Sequence, residues 1–261
     1  MSKRRLDVLL VDRGLAESRE KAQALVMAGQ VTVDERPAPK PGVLVREDAA
    51  LSVAEGPKFV GRGGEKLERA LDAFGLDVTG LVAADIGAST GGFTDCLLQR
   101  GASRVYAIDV GHGQLDYRLR NDPRVVVMEG VNARELQSLP EPVDIAVIDV
   151  SFISLRFVLP AVHRLVRSGA RAPSPSPLGA ASGAPTANVV TLFKPQFEAG
   201  KGEVPRGGVI RDAHFHSQLI GRFAAWCVAN GFRIRDMVAS PILGDAGNRE
   251  FLFWLRPEAS R

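Results

Sequence analysis

Cysteine is nearly absent from the 261 residues: Cys96 and Cys227 are the two present. They lie far apart in apolar helical patterns, which argues against a disulfide framework or a cysteine zinc site and predicts buried thiols in a reducing cytoplasm. No run of about 18 apolar residues occurs, so no membrane span is expected. The apolar run behind the basic start, Val8 to Val11, is too short for the core of a signal peptide. A block of one charge sign is missing too. The formal net charge is +3, and the first 55 residues balance nine Lys/Arg against nine Asp/Glu, so charge alone announces no nucleic-acid tail. Histidines number four. His214 and His216 stand with Asp212 at a helix start, and an i, i+2 pair there points in divergent directions, which predicts capping or solvated roles and no metal. What remains, with 45% apolar and 24% charged residues, is the composition of a globular chain long enough for one large domain and a small one.

The first 56 residues read as a small α+β unit. An apolar stripe at Leu6, Leu9 and Leu10 precedes a turn at Arg13-Gly14. Ser18 then caps a second helix that Gly29 closes, and short strands follow at Val31–Val33 and Leu51–Val53. Residues 57–66, with Gly61, Gly63 and Gly64, read as a flexible connection that serves as a linker, as a substrate loop, or as both. From Leu67 to the end, helices alternate with buried strands, the signature of a doubly wound α/β sheet. The strands are expected at Leu81–Gly87, Val105–Val110, Val125–Glu129, Ile145–Val150, Val189–Pro195, Ile234–Ala239 and Phe251–Leu255. Helices are expected at Leu67–Phe74, Gly92–Arg100, Leu155–Val166 and Ala213–Asn230. The Ala/Pro/Ser/Gly-rich stretch from Gly169 to Asn188 reads as a flexible insertion without chemistry.

Asp85-Ile86-Gly87-Ala88-Ser89-Thr90-Gly91-Gly92-Phe93 runs from a buried strand through a glycine-rich turn into a helix, where backbone amides approach a ligand. Its Gly-x-x-x-Gly-Gly spacing is neither the dinucleotide fingerprint nor a P-loop, so no phosphate clamp is present. Asp109 ends the next strand, about two dozen residues on, where a carboxylate accepts hydrogen bonds from both hydroxyls of an unphosphorylated ribose. Together these favour S-adenosylmethionine, its amine met by Asp85 and its remainder by Gly87, Ser89, Thr90, Gly91, Gly92, Phe93, Asp109 and Asp149. A nucleotide cofactor, or a tight turn with no ligand, would use the same loop spacing.

Lys66, Asp149, Lys194 and Glu250 are charges at the ends of apolar elements. Asp149 and Lys194 close buried strands at the carboxyl edge of a parallel sheet, where such folds bind ligands. A structural ion-pair network explains each singly; the four together point to a site.

Over nearly its full length the sequence resembles the TlyA proteins, which join a ribosomal-protein S4-like RNA-binding domain to a Rossmann-like methyltransferase of the FtsJ type. The resemblance rests on Arg5-Leu6-Asp7, Ser18-Arg19-Glu20-Lys21-Ala22, Arg62-Gly63-Gly64-Glu65-Lys66-Leu67, the glycine-rich segment from Asp85, Asp109-Val110-Gly111-His112-Gly113-Gln114-Leu115, Asp149-Val150-Ser151-Phe152-Ile153-Ser154-Leu155 and Lys194-Pro195-Gln196-Phe197-Glu198. It implies S-adenosylmethionine-dependent 2′-O-methylation of a cytidine in ribosomal RNA, with Lys66, Asp149, Lys194 and Glu250 as the catalytic tetrad. Lys194 takes or directs the hydroxyl proton, which a lysine accepts only as the neutral amine, and the other three hold it and the attacking oxygen in line. His112 belongs to a family string and is expected to be structural.

The resemblance also makes Arg4, Arg5, Arg13, Arg19, Lys21 and Arg62 candidates for RNA phosphate contacts, although a solvated helix face explains the N-terminal group equally. Phe152 reads either as the wall of a slot for an exposed target nucleotide or as ordinary core. The 201–208 loop is placed near the site. Some TlyA proteins carry a C-terminal extension and modify both ribosomal subunits; a chain ending at Arg261 resembles the shorter kind, which implies large-subunit RNA and a cytoplasmic protein. Two alternatives are a ribosome-binding factor without activity, against which the intact tetrad argues, and a haemolysin, for which no spanning or strongly amphipathic segment supplies a mechanism.

Overall fold

The computed structural model describes residues 2–54, 56–166 and 187–258. The expected insertion at 169–188 therefore falls, up to residue 186, outside the described residues. The chain forms two compact units, Met1–Lys58 and Phe59–Arg261.

The first unit contains β1 (Lys3–Arg5), α1 (Leu6–Asp12), α2 (Arg19–Met27), β2 (Val31–Val33), β3 (Arg36–Pro37), β4 (Leu44–Arg46) and β5 (Leu51–Val53). Ser18 caps α2 by accepting the Lys21 amide, which satisfies one of the donors a helix start leaves open. Leu6, Leu10, Ala22, Val26 and Val31 form its core. Strands β1 and β4 pair antiparallel, and β2 lies between β3 and β5.

The second unit runs α3 (Gly63–Phe74), β6 (Val82–Ile86), α4 (Gly92–Gln99), β7 (Arg104–Asp109), α5 (Tyr117–Arg120), β8 (Val125–Glu129), β9 (Ile145–Ile148), α6 (Leu155–Leu165), β10 (Asn188–Phe193), α7 (Pro195–Glu198), α8 (Ala213–Ala229), β11 (Phe232–Ala239) and β12 (Phe251–Pro257). Its seven strands lie in the order β11-β12-β10-β9-β6-β7-β8. The run from β10 to β8 is parallel, and β12 is antiparallel to both of its neighbours. The wholly apolar run of β9, and the buried run of β10 in which Thr191 is the one polar residue after Asn188, follow from this topology, since a parallel strand covered on both faces has no solvent side. One core holds α6 and α8 against the sheet, with Leu159, Val162, Leu219 and Phe223 buried. The opposite core holds α3 and α4, with Leu67, Leu71, Phe93 and Leu97. Both thiols are buried, and burial pushes that of Cys227 up to about 12. None of the described helices is long and apolar enough to cross a membrane.

Helix α3 begins at Gly63, four residues before the apolar periodicity places it, so Lys66 sits on a helix rather than in a linker. Packing explains the early start. A methyl group on Gly64 would meet the Phe59 ring at 2.2 Å, and one on Gly92 would meet the Gly64 nitrogen at 2.9 Å and the Gly61 oxygen at 3.0 Å. These glycines let the beginnings of α3 and α4 approach backbone to backbone. Gly92→Ala is therefore expected to destabilise the protein by about 1–3 kcal/mol through overpacking, read as a lower urea midpoint; an unchanged midpoint would show that the two helix starts separate freely. His216 also departs from expectation. It is buried with its ring 5.9 Å from that of Phe251, and burial lowers its pKa. Asp212 alone takes the capping role, accepting the His214 and Phe215 amides.

Candidate active site

Strands β6, β7, β9 and β10 end at one edge of the sheet. Gly87 follows β6 with φ +86°, and a Cβ there would lie 2.3 Å from the Asp149 carbonyl oxygen. Glycine is thus what allows the ends of β6 and β9 to close up beside each other. Past them opens a cavity of about 520 Å³ bounded by Gly87, Ser89, Asp109, Gln114, Asn132, Asp149, Ser151 and Phe152, with Ile108, Val131, Ala133 and Val158 as apolar wall. The Asp109 carboxylate is fixed by two amides, Ser89 N–H to Oδ2 at 2.8 Å and Gly111 N–H to Oδ1 at 2.7 Å. A carboxylate has about four acceptor positions, so Asp109 retains capacity for a vicinal diol. An apolar slot beside an oriented carboxylate, in a cavity of this size, fits a nucleoside-bearing cofactor.

The expected cofactor residues divide. Gly87, Ser89, Asp109 and Asp149 line this cavity, whereas Thr90, Gly92 and Phe93 line a neighbouring one. Gly91 lines neither; its φ is +99° and an added Cβ would meet Leu119 at 2.2 Å, so its place is set by packing. Asp85 lines neither and is fully buried. Its Oδ2 accepts the Thr94 hydroxyl at 2.7 Å, while no partner reaches Oδ1. Burial, reinforced by the carboxylates of Asp149 and Asp109 and opposed by Thr94, pushes its pKa up to about 7.

The neighbouring cavity, about 320 Å³, contains all four tetrad residues together with Arg62, Ser151 and Asp245. Lys66, in the first turns of α3, meets Glu250 at 2.7 Å. Lys194, the residue after β10, meets Asp149, the residue after β9, at 2.6 Å. The pairing of Phe193 with Phe251 across β10 and β12 places Lys194 and Glu250 at adjacent strand ends. Side-chain exposures are 9% and 3% for the first pair and 10% and 21% for the second. Ion pairs this shielded lose much of their mutual attraction to desolvation, so fold stability is a poor reason for two of them in one cavity. The two cavities share Gly87, Ser89, Asp149 and Ser151 as a common wall, so a group bound in one faces a group bound in the other.

Ser151 escapes the sequence reading as a site residue. Its Oγ accepts a hydrogen bond from Lys194 Nζ at 2.8 Å, and position in a loop two residues after Asp149 was the single available hint. Phe152 is not core: it is 90% exposed, adopts φ +63°, and tilts against Phe197 with ring centroids 5.1 Å apart. A left-handed conformation is costly for an aromatic residue, and here it places the ring at the cavity's rim. His112 packs under Gly130, where an added Cβ would meet its ring at 2.5 Å, a packing role.

In the N-terminal unit, buried Asp7 gathers Arg5 at 2.8 Å, Arg19 at 3.2 Å and Gln23 at 3.0 Å. The Arg5 hydrogen bond chiefly holds the Asp7 carboxyl far below the ordinary carboxylate range. Both guanidiniums stay about half exposed, as does Arg4, paired with Asp12; Lys21 is exposed. Arg13 differs, since it donates to the Ala49 carbonyl at 2.7 Å and to that of Glu47, which holds a turn.

Residues 59–257 match the FtsJ-like methyltransferase family and residues 4–51 the S4 domain. The 16S/23S rRNA (cytidine-2′-O)-methyltransferase TlyA of Mycobacterium tuberculosis is 44% identical over 261 residues, covering 98% of this chain and 91% of that protein. Hemolysin A of Brachyspira hyodysenteriae is 39% identical over 251 residues, 95% of this chain and 98% of its own length. Among solved structures, a protein described as a hemolysin from Streptococcus thermophilus superposes with a TM-score of 0.70 at 40% identity, covering 100% of this chain and 90% of the other. With two families matched in succession and relatives aligned along almost the whole length, the chain belongs to the FtsJ-like methyltransferases of the TlyA kind, in which an S4 domain accompanies the catalytic one.

Proposed function

We propose that this protein methylates the ribose 2′-hydroxyl of a cytidine in ribosomal RNA, in the large subunit, as a cytoplasmic enzyme using S-adenosylmethionine. The observation that carries the proposal is the shared wall between a cavity suited to a nucleoside and one holding two lysine–carboxylate pairs. The name of the M. tuberculosis relative gives the same bond and base, and includes 23S RNA.

Asp109 and the Ser89 turn hold the cofactor's ribose, with Gly87 and Asp149 at the reactive end. When bound, the cofactor supplies a methyl group on a sulfonium, ready for in-line displacement. Lys194, anchored between Asp149 and Ser151, stands where it takes or directs the hydroxyl proton as the oxygen attacks. Lys66 and Glu250 fix the opposite side of the ribose, and alignment by such groups contributes several kcal/mol on its own. Phe152 offers a stacking face for the target base. Arg4, Arg5, Arg19 and Lys21 supply phosphate contacts on the S4 domain, and Arg62 one at the catalytic cavity.

The test incubates the protein with each ribosomal subunit, and with deproteinised rRNA, in radiolabelled S-adenosylmethionine, and maps the label by digestion and mass spectrometry. Label on a large-subunit cytidine ribose is expected; label confined to small-subunit RNA corrects the substrate, and none on any RNA despite cofactor binding refutes the activity. Asp109→Ala is expected to weaken cofactor binding about ten- to a hundredfold, measured by titration calorimetry. Wild-type affinity in that variant would move the ribose away from β7.

A further inference from the structure

Arg62 precedes α3 and lies four residues before Lys66, so the two side chains share a helix face. Its partner Asp245 stands in the loop five residues before Glu250, and both line the catalytic cavity. The same two segments thus meet twice: Lys66 with Glu250 in the interior and Arg62 with Asp245 at the mouth. The outer pair is wet, its side chains 60% and 95% exposed against 9% and 3% for the inner one. An exposed pair is held weakly and exchanges partners readily, whereas the inner lysines are engaged by shielded carboxylates.

A ribose seated with its 2′-hydroxyl at Lys194 carries a 3′-phosphate on the adjacent carbon, so an anion enters this cavity with the substrate. Of the cations lining the cavity, Lys66, Lys194 and Arg62, Arg62 alone has an exposed and replaceable partner. A guanidinium binds a phosphate through two parallel hydrogen bonds, as it binds a carboxylate. We propose that Arg62 and Asp245 form an exchangeable clamp, in which Asp245 occupies the guanidinium of the free protein and the 3′-phosphate of the target nucleotide displaces it. The inference rests on the reading that this cavity receives a ribose. Asp245 then acts as a selectivity element: RNA that does not present a phosphate at this depth has to compete with an intramolecular carboxylate and gains nothing for it.

The test uses the full chain as wild type, Arg62→Gln, Asp245→Asn and the double variant. Binding of a fluorescent cytidine-containing single-stranded RNA is measured across a salt series, and methyl transfer to rRNA is followed in parallel. Asp245→Asn is expected to tighten RNA binding about two- to fivefold. Arg62→Gln should weaken it about tenfold and flatten the slope of log Kd against log salt by about 0.7–0.9, one phosphate contact; on that background Asp245→Asn should change nothing further. Weaker binding by Asp245→Asn, or an unaltered salt slope in Arg62→Gln, overturns the clamp and leaves the pair a structural tie. The proposed reaction fails separately: these binding shifts with no methyl transfer by wild type would retain the clamp and refute the activity, and transfer without the shifts would do the reverse.

Discussion

Lys194→Ala is expected to lower methyl transfer by about 10²- to 10⁴-fold, the range for loss of a positioned proton-transfer group, with cofactor binding retained. The reason is local. Nζ is held by Asp149 at 2.6 Å and Ser151 at 2.8 Å, and Lys194 lines the smaller cavity without touching the larger. On the proposed reading, alanine removes the group that faces the hydroxyl while the larger cavity keeps its walls. Lys66→Ala and Glu250→Ala should each cost activity, and their combination little more than either, because one partner of a buried pair has no function without the other. Single-turnover rates at saturating cofactor provide the measurement. A Lys194→Ala protein that transfers methyl at the wild-type rate would dissociate the chemistry from this cavity, and strict additivity at Lys66 and Glu250 would dissociate them from each other.

The second large effect concerns stability. Asp85 holds its proton to about pH 7 in the folded chain, against an ordinary value of 3.8. Between those values the folded state carries a proton that the unfolded state has released, so this group's contribution to stability is complete below about pH 4 and is lost as pH rises through 7. At 1.36 kcal/mol per pH unit, the separation sets a ceiling of about 4 kcal/mol. Asp85→Asn keeps an acceptor for the Thr94 hydroxyl and abolishes the titration. Relative to wild type, the asparagine variant should therefore gain stability from pH 4 to about 7 and level off above it, seen in guanidinium midpoints at each pH. Parallel curves for the two proteins would show that Asp85 does not change its protonation on folding in this range.

Much of this architecture is written locally. The apolar stretch Ile145–Ile148 and the β-branched and aromatic stretch Val189–Phe193 can be little other than covered strands, and a charge directly after each one has to sit at the sheet's edge. Ser18 caps α2 through a hydrogen bond three residues away, a local event. What escaped detection depends on distant partners. Gly63 and Gly64 look like a linker until α4 approaches them. Asp85, next to the glycine turn, reads as a ligand for the cofactor amine, and what the turn does not announce is the hydroxyl one helix turn into α4 that binds its Oδ2. Nothing local distinguishes Asp7 as the buried anchor of Arg5, Arg19 and Gln23. Residue spacing fixes which face a side chain shares, but which side chains meet across 150 residues follows from strand order.

Strand β12 runs against both of its neighbours, so the ligand edge meets its first residue rather than its last. Glu250 is consequently fixed by the Phe251–Phe193 pairing behind it, while the loop ahead of it is tethered by buried Asn248, which accepts the Ile210 amide and donates to the Gly208 carbonyl. Residues 241–247 thus close over the carboxylate that follows: a Cβ on Gly244 would meet Glu250 Oε1 at 2.4 Å, whereas the side chain of Asp245 is 95% exposed. One loop therefore holds a position whose charge can change without disturbing the edge beside a position where any side chain at all would push the Glu250 carboxylate aside.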